Sequence, residues 1–233
     1  MRCVRGRMPQ RSHSPTLGWI PFEKLAARYD AWFDTERGRR LFRIETRCIR
    51  DLLVDMPRPW LEVGVGTGRF AAALDVTEGI DPSAAVLRYA GRRGIRVLIG
   101  EAEALPYAKT RFGVALLIVT VCFLRDPPRA FTECRRILKP NGRLVLGVVP
   151  KDSPWGKAYA KKGEHGHPFY SVSSFYTCRE LTRLVEQSGF RLERAESCLF
   201  AGPENDAPRD APPRKTIAEN AGFVAMRFRQ TNG

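Results

Sequence analysis

The sequence predicts an α/β fold in which helices cover both faces of a mostly parallel seven-stranded sheet with an antiparallel last strand. Three observations predict it. Apolar segments of strand length alternate with segments of helical periodicity between residues 60 and 149. A glycine-rich turn joins the first predicted strand to the helix that follows. The last two predicted strands are joined by a loop alone, so they can pair antiparallel at one edge, since a parallel pair needs a crossover.

The individual elements follow from periodicity, capping residues and turn residues. Helices are predicted over 39–53, 69–74 and 83–90, around the apolar stripe 130–138, and after the capping box formed by Thr177 and Glu180. Strands are predicted over 60–63, 77–80, 95–99, 112–121, 144–149, 191–200 and 223–228. The segment 112–121 is apolar almost throughout, as expected of a central strand buried on both faces. A turn is predicted at 139–142 and a loop at 202–215.

Length and composition fit one globular domain. The chain has 233 residues, of which 43% are hydrophobic and 27% are charged, so its core can hold the fold without disulfides or a structural metal. Its six cysteines form no C-x-x-C pair and several lie on predicted apolar faces. We therefore expect reduced, buried thiols rather than disulfides or a zinc site.

The net charge of +14 leaves two interpretations open. It can indicate a nucleic-acid partner or an anionic substrate, or it can be a compositional bias. Arginines are scattered along the chain without a dense basic block, which favours the bias. Residues 1–18 are basic and are expected to be disordered, and no apolar signal-peptide core follows them. The longest apolar run is too short to span a bilayer, so we expect a cytoplasmic protein without a membrane partner.

The glycine loop 64–68 carries the first chemical signal. Gly64, Gly66 and Gly68 let the backbone turn sharply and approach a ligand closely, although such a loop alone is weak evidence. A dinucleotide-binding loop needs a small residue at the sixth position, where this chain has Arg69. An acidic residue, Glu62, stands two positions before the first glycine.

These residues make the string LEVGVGTGRF resemble the first motif of class I S-adenosylmethionine-dependent methyltransferases, whose pattern is acidic-x-G-x-G-x-G. The strings GIDPS, GEAEALPY and KPNGRLVLG resemble later motifs of that family, in the family's order and spacing. The resemblance covers about residues 60–149 and is greatest to the small-molecule branch that includes ubiquinone and menaquinone biosynthesis. It implies a Rossmann-like fold and S-adenosylmethionine as cofactor.

The resemblance also implies cofactor contacts. Asp81, followed by Pro82, would accept hydrogen bonds from the ribose hydroxyls, although an acid there would also suit NAD. Glu101 would accept from the adenine amine, and the Ala102 N–H would reach a ring nitrogen. Glu62 would orient the loop or the amino group of the cofactor's methionine part. Thr120 lies at the end of the fourth strand, where the family's methionine moiety lies.

The acceptor side is assigned to two segments. Residues 19–56 resemble the family's N-terminal lid, in which Tyr29, Trp32 or Phe33 could face the sulfonium or simply pack. Residues 57–150 form the cofactor-binding core, 151–176 an acceptor-side insertion, and 177–233 the last helix and strand pair. His167 in the insertion could act as a base, although a structural histidine is the commoner case. His165 and His167 lack further ligands for a metal site.

The leading function is methyl transfer to a small-molecule acceptor by in-line displacement, in a monomer or homodimer. An RNA or protein methyltransferase, favoured by the basic charge, remains an alternative, as does a catalytically silent protein that binds S-adenosylmethionine. An NAD-dependent oxidoreductase is disfavoured by Arg69 and by the terminal strand pair. The residues Thr120 to Leu124 do not match the N-P-P-Y-type motif, which counts against methylation of base amino groups or glutamine amides.

Overall fold

The computed structural model describes residues 17–205 and 211–231. The helices are α1 (Ile20–Trp32), α2 (Glu36–Arg50), α3 (Arg69–Ala73), α4 (Ala84–Arg92), α5 (Pro127–Ile137), α6 (Pro154–Glu164) and α7 (Cys178–Gln187). The strands are β1 (Trp60–Val63), β2 (Glu78–Asp81), β3 (Arg96–Ile99), β4 (Phe112–Ile118), β5 (Leu138–Val148), β6 (Phe190–Cys198) and β7 (Phe223–Gln230). Two 3₁₀ turns lie at Val121–Phe123 and Tyr170–Val172.

The seven strands form one sheet in the order β3-β2-β1-β4-β5-β7-β6. Strands β1 to β5 pair in parallel, whereas β7 lies between β5 and β6 and pairs antiparallel with both. The predicted mostly parallel sheet with an antiparallel last strand is confirmed. The strand order reverses between β1 and β4, and in such sheets ligands bind at the carboxyl ends of the strands next to this point.

Helices cover both faces of the sheet, as predicted. Helices α2, α3 and α4 pack on one face through buried apolar side chains such as Leu41, Phe70 and Leu87. Helices α5 and α7 pack on the other face through side chains such as Phe131 and Leu181. All seven residues of β4 are buried, which confirms the prediction that this strand is central.

Capping side chains set where the helices begin. Ser83, Asp126, Ser153 and Thr177 each accept a hydrogen bond from a backbone N–H of the helix that follows, and the capping box of α7 is complete. Helix α2 begins at Glu36 rather than 39, because the Thr35 hydroxyl accepts from Gly38 N, and it ends at Arg50 rather than 53. Thr35 and Glu36 are the sequence signal for this helix start, and a prediction from apolar periodicity alone does not use them.

Two strand predictions need correction. Strand β4 ends at Ile118 rather than 121, because Val119 adopts a φ of +52°, which no strand residue has. The predicted turn at 139–142 belongs to β5, which begins at Leu138. The β4–β5 register shifts there, so that three extra residues of β5 are accommodated as an irregularity. Other described ends of predicted strands differ by no more than two residues.

The insertion 151–176, for which no element was predicted, contains α6 and the second 3₁₀ turn. Trp155 of α6 is buried and its indole N–H donates to the Ala201 carbonyl at 2.7 Å, which fixes the helix beside β6. Residues 1–16 of the expected disordered segment and residues 206–210 of the predicted loop lie outside the described residues. Leu17 and Gly18 form the turn that starts α1, where Ile20 N–H donates to the Leu17 carbonyl.

The five cysteines in the described part of the chain are free thiols, and all except Cys122 are buried. Within the same residues, no group of three or more His, Cys, Asp or Glu side chains is placed to hold a metal ion. None of the described helices is both long and apolar enough to cross a membrane.

Candidate active site

The glycine loop joins β1 to α3, and its three glycines have φ values of +75°, +52° and +78°. A Cβ on Gly64 would lie 2.3 Å from the Thr120 Cγ2, and one on Gly68 would lie 2.9 Å from the Ala90 Cα. These two glycines therefore let the loop pack against the end of β4 and against α4. A Cβ on Gly66 would lie 3.6 Å from the Tyr29 ring, so this glycine faces the lid helix α1.

Asp81 ends β2, as the sequence predicts, and its carboxylate spans the loop. Oδ2 accepts from Gly66 N at 3.0 Å, and Oδ1 accepts from Ser83 N at 2.9 Å. Burial raises the pKa of Asp81 to about 6, although the two backbone N–H groups lower it. Each carboxylate oxygen keeps a second lone pair, so Asp81 could accept further hydrogen bonds from a ligand's hydroxyl groups.

Glu62 is a buried carboxyl group in β1. Only 2% of the residue is exposed, and its Oε2 has no hydrogen-bond partner within residues 17–205 and 211–231. Burial raises its pKa well above the usual value, and the negative charge of Asp81 adds to this effect. A buried carboxylate without a partner is costly, so this group fits a ligand that supplies a cation or an N–H donor.

The residues that follow β4 pack against the glycine loop. Thr120 is buried and its hydroxyl donates to the Ile118 carbonyl at 3.1 Å. Val119 precedes it in the left-handed region, where a β-branched residue is strained by about 1–3 kcal/mol. The chain thereby turns out of the sheet so that the Thr120 side chain packs on Gly64.

Glu101 and Ala102 follow β3 at the same edge of the sheet. Ala102 is buried, whereas the Glu101 side chain is 44% exposed and lies 3.7 Å from the Arg125 guanidinium. Sequence reasoning missed Glu103, whose buried carboxylate accepts from Arg125 N and Asp126 N at 3.0 and 3.1 Å. Glu103 thus anchors the segment that leads into α5, while Glu101 stays accessible.

Tyr29 of α1 lies over the glycine loop. Its ring contacts the rings of Phe22, Phe33 and Phe169 at centroid distances of 5.1, 5.5 and 5.8 Å. Burial raises the pKa of Tyr29, and the charges of Glu62 and Asp81 raise it further, so the hydroxyl lies near both carboxyl groups. Phe33 is buried, whereas Trp32 is 39% exposed, so of the three lid aromatics Tyr29 faces the loop.

Three acidic residues that the sequence did not single out fix or line this lid. Asp30 accepts from Arg69 at 3.0 and 2.9 Å and from Arg93 at 2.9 Å. Burial alone would raise the pKa of Asp30, but these arginines hold it at about 2. Glu23 accepts from Ser83 Oγ at 2.8 Å and from Ala85 N at 3.0 Å, and so ties α1 to α4. The third, Glu45 on α2, carries no hydrogen bond or ion pair in the described part of the chain. The sequence shows that these three residues are acidic, but it does not predict which residues they contact.

His167 lies in the insertion, close to the lid. Its ring stacks on Tyr170 at 4.3 Å, and its buried Nδ1 has no hydrogen-bond partner among the described residues. Burial lowers the pKa of His167, and the charges of Arg28 and Lys162 lower it further. The lowered pKa favours the neutral imidazole, which can accept a proton, and no carboxylate is bonded to it among the described residues.

Two carboxyl groups, those of Glu62 and Asp81, lie toward the carboxyl ends of the adjacent strands β1 and β2. The aromatic ring of Tyr29 covers the loop next to them. Glu62 fits the amino group of a cofactor's methionine part, and Asp81 fits a pair of ribose hydroxyls. Gly66, which has no side chain, lets the Tyr29 ring approach the loop backbone closely. The residues present therefore fit S-adenosylmethionine.

Comparisons with known proteins agree with this geometry. The family described as a methyltransferase domain matches residues 61–146. An uncharacterised protein of Mycobacterium tuberculosis is 42% identical over 202 residues, which cover 86% of this chain and 70% of the relative. A demethylmenaquinone methyltransferase of Thermotoga maritima is 27% identical over 210 residues, which cover 73% of this chain and 86% of the relative.

Solved structures extend the similarity over most of the chain. The crystal structure of a Thermotoga maritima protein, described as a SAM-dependent methyltransferase and possible histamine N-methyltransferase, is 34% identical. It superposes with a TM-score of 0.84 and covers 91% of this chain and 99% of its own. Together with the glycine loop and the two carboxyl groups, these findings show that the chain belongs to the class I S-adenosylmethionine-dependent methyltransferases and uses S-adenosylmethionine as its cofactor.

Proposed function

We propose that this enzyme transfers the methyl group to a small-molecule acceptor by in-line displacement. The observation that carries the proposal is the position of the lid: α1 lies across the glycine loop and is held there by Asp30 and Glu23. A loop that is covered by a helix is less accessible to a polymer than to a small molecule. Two relatives carry names that refer to small acceptors, demethylmenaquinone and histamine.

We assign the cofactor contacts as follows. Asp81, followed by Pro82, accepts the ribose hydroxyls, and Glu62 accepts the methionine amino group. The loop of Gly64, Gly66 and Gly68 lets the backbone approach the methionine part, and Thr120 borders it. Glu101 and the N–H of Ala102 contact the adenine. Support comes from the unpartnered Oε2 of Glu62 and from the positions of Asp81 and Ala102 at the carboxyl ends of β2 and β3.

The chain itself acts mainly by orientation. When bound, S-adenosylmethionine supplies a methyl group on a positively charged sulfur, which needs no further activation. The lid residues 19–56 exclude water, and Tyr29 places an aromatic face beside the loop, where it can stabilise a cation. Proximity and alignment of donor and acceptor then supply most of the acceleration.

His167 is proposed as the group that receives a proton when the acceptor must lose one. The support is its neutral imidazole and its position between Tyr170 and the lid. The insertion 151–176, of which His167 is part, would then form the acceptor side of the site, opposite the core residues 57–150.

The basic charge does not require a nucleic-acid partner. Three carboxylates each form ion pairs with two arginines within the fold. Part of the excess of arginine over acidic residues therefore serves these structural ion pairs. The pairs are Glu78 with Arg96 and Arg111, Glu193 with Arg143 and Arg227, and Asp30 with Arg69 and Arg93. This observation favours a small acceptor over RNA.

The test is a transfer assay with methyl-labelled S-adenosylmethionine. The enzyme is incubated separately with the small-molecule fraction, the bulk tRNA and the protein fraction of a cell extract. We expect label in the small-molecule fraction, with loss of transfer in Asp81→Asn and retention in Glu36→Gln, whose side chain is exposed. Label found only in tRNA or protein would overturn the proposal.

A further inference from the structure

Glu45 on α2 is a carboxyl group that the cofactor site does not use. Its neighbours on the helix, Ile44, Thr46 and Cys48, are buried, and Glu45 itself is half-buried. Its carboxylate has no hydrogen bond or ion pair in the part of the chain that the structure describes. Burial alone raises the pKa of Glu45 to about 8. A side chain so placed loses solvation without recovering it from the protein.

Three tyrosines from three different elements lie on the same side of the molecule as this carboxyl group: Tyr29 and Tyr159 pack against the apolar cluster that contains Ile44 and Cys48 of α2, and Tyr170 stacks on Tyr159. The charge of Glu45 raises the pKa of Tyr29 on α1, of Tyr159 on α6 and of Tyr170 in the second 3₁₀ turn. The rings of Tyr159 and Tyr170 stack nearly parallel at 4.4 Å, so their positions are mutually fixed. The fold therefore brings these side chains within range of the Glu45 charge, although they are up to 141 residues apart in the sequence, counting from Tyr29 to Tyr170.

Tyr29 connects this cluster to the cofactor site. The charges of Glu62, Asp81 and Glu45 all raise the pKa of the Tyr29 hydroxyl, and the Tyr29 ring lies over Gly66. The cluster is thus on the lid side of the glycine loop, between the lid and the insertion. An acceptor bound against Glu45 would therefore lie on the same side of the glycine loop as the Tyr29 side chain.

The charged groups nearby leave the Glu45 carboxylate open. Arg37 acts on Tyr159 and Tyr170, but its guanidinium donates to the Pro203 and Asn205 carbonyls and lies over the Trp155 ring. Lys162 lies over the outer side of the Tyr159 ring at 5.8 Å. Neither is bonded to Glu45. The charge of Glu45 also acts on Cys198 of β6, a buried thiol on which the charge of Arg47 acts as well.

We propose that Glu45 and the hydroxyl oxygens of Tyr29, Tyr159 and Tyr170 form the acceptor subsite, and that the acceptor carries an amine group that binds there. The inference rests on the proposed transfer to a small molecule and names the class of that molecule. An ammonium group donates several N–H bonds and carries the charge that an unpartnered carboxylate lacks. The phenol oxygens accept the remaining N–H groups. A carboxylate or phosphate on the acceptor would instead be repelled.

Binding of charge-matched probes to the full chain tests the proposal. The protein is saturated with S-adenosylhomocysteine and titrated calorimetrically with 2-phenylethylamine, with the neutral analogue 2-phenylethanol and with phenylacetate. We expect the amine to bind at least about tenfold more tightly than either analogue, since a charge-assisted hydrogen bond contributes about 1.5–3 kcal/mol. Equal or tighter binding of the alcohol or the acid, or no binding of the amine, would overturn the proposal.

Variants identify the residue responsible. Glu45→Gln should abolish the preference for the amine, and Tyr159→Phe should reduce it, while both keep their affinity for S-adenosylhomocysteine as proof of folding. Glu36→Gln, on the exposed side of the same helix, should leave the preference unchanged. Retention of the preference in Glu45→Gln contradicts the assignment. In the transfer assay, label in small molecules that lack an amine would contradict this subsite while leaving the proposed function intact. Label only in tRNA would contradict both.

Discussion

Arg69 binds Asp30 through two side-chain hydrogen bonds of 3.0 and 2.9 Å and thereby fastens the lid helix to the end of the glycine loop. The same guanidinium reaches Asp34 at 2.7 Å. In the sequence, Arg69 only argued against a dinucleotide-binding loop. A dinucleotide-binding loop has a small residue at this position. In the folded protein Arg69 occupies it and holds the lid helix α1 in place.

Asp30→Asn should loosen this lid. The substitution leaves Arg69 and Arg93 without their shared carboxylate, and hydrogen bonds to charged groups contribute about 1.5–3 kcal/mol. We expect faster hydrogen exchange in α1 and a five- to fiftyfold weaker affinity for S-adenosylhomocysteine. Hydrogen exchange with mass spectrometry and calorimetry measure the two effects.

Asp34→Asn is the matched control. Asp34 binds the same Arg69 but is 61% exposed, and exposed ion pairs contribute about 0–1 kcal/mol. Its exchange rates and affinity should stay close to those of the wild type. If Asp30→Asn behaved like Asp34→Asn, the lid would be held by packing alone.

Glu62→Gln should separate binding from stability. Because burial raises the pKa of Glu62 well above its usual range, burial favours the neutral acid in the ligand-free protein, and glutamine imitates that form. A raised carboxyl pKa makes the ionised form destabilising as the pH rises above the unfolded value, so Glu62→Gln should melt at the wild-type temperature or higher at pH 7. Scanning calorimetry measures this.

The same variant should bind S-adenosylhomocysteine about 10–100-fold more weakly, because the amide oxygen can accept a hydrogen bond from the ligand's ammonium group but lacks the negative charge that strengthens it. Its affinity for 5′-methylthioadenosine, which lacks the amino-acid part, should not change. Loss of affinity for both ligands would place Glu62 elsewhere than beside the amino group.

The affinity for 5′-methylthioadenosine should depend on pH through Asp81. Its pKa in the ligand-free protein is raised to about 6, so the carboxylate is charged above pH 6 and protonated below it. Ribose hydroxyls donate to the charged form, so the affinity should be constant above about pH 7. It should fall by up to about tenfold per pH unit below pH 6. Calorimetric titrations from pH 5 to 8 measure the profile.

Asp81→Asn provides the comparison for that profile. Its affinity should be lower at pH 7 and nearly independent of pH, since the amide does not titrate in this range. A wild-type profile without a bend near pH 6 would remove Asp81 from the ribose contact.

Gly64→Ala should disrupt the loop for two reasons. The φ of +75° is unfavourable for alanine, and its Cβ would lie 2.3 Å from the Thr120 Cγ2. We expect a loss of several kcal/mol in the free energy of unfolding, measured by urea denaturation. Thr120→Ser removes Cγ2 and should recover part of that loss in the double variant, with the backbone strain remaining.

Gly91→Ala controls for glycine replacement in general. Gly91 lies within α4, and a Cβ there would contact nothing within 4 Å, so the substitution should be neutral or stabilise by up to about 1 kcal/mol. If Gly64→Ala were equally mild, the close approach of the loop to Thr120 would have no role in stability.

Much of the fold could be predicted because it is encoded locally. The period-two and period-3.6 patterns, together with caps such as Ser83 and Thr177, mark most elements within a few residues. Errors arose where local signals compete. The K-P-N-G segment has turn residues, yet pairing with β4 and β7 keeps residues 138–148 in one strand. No element was predicted in the insertion 151–176, where the buried Trp155 holds α6 in place through a tertiary contact.

The sequence by itself determined the cofactor class. The glycine loop, Glu62 and Asp81 lie in or next to two short strands that are close together in the chain, so a local motif contains all of them. The tertiary structure decided what covers and adjoins that loop. Asp30 binds Arg69 across 39 residues, and the charge of Glu45 acts on Tyr159 and Tyr170 across more than 100. Such contacts depend on helix packing over the sheet, which no local pattern specifies, so the contacts that hold the lid and the proposed acceptor subsite require the tertiary structure.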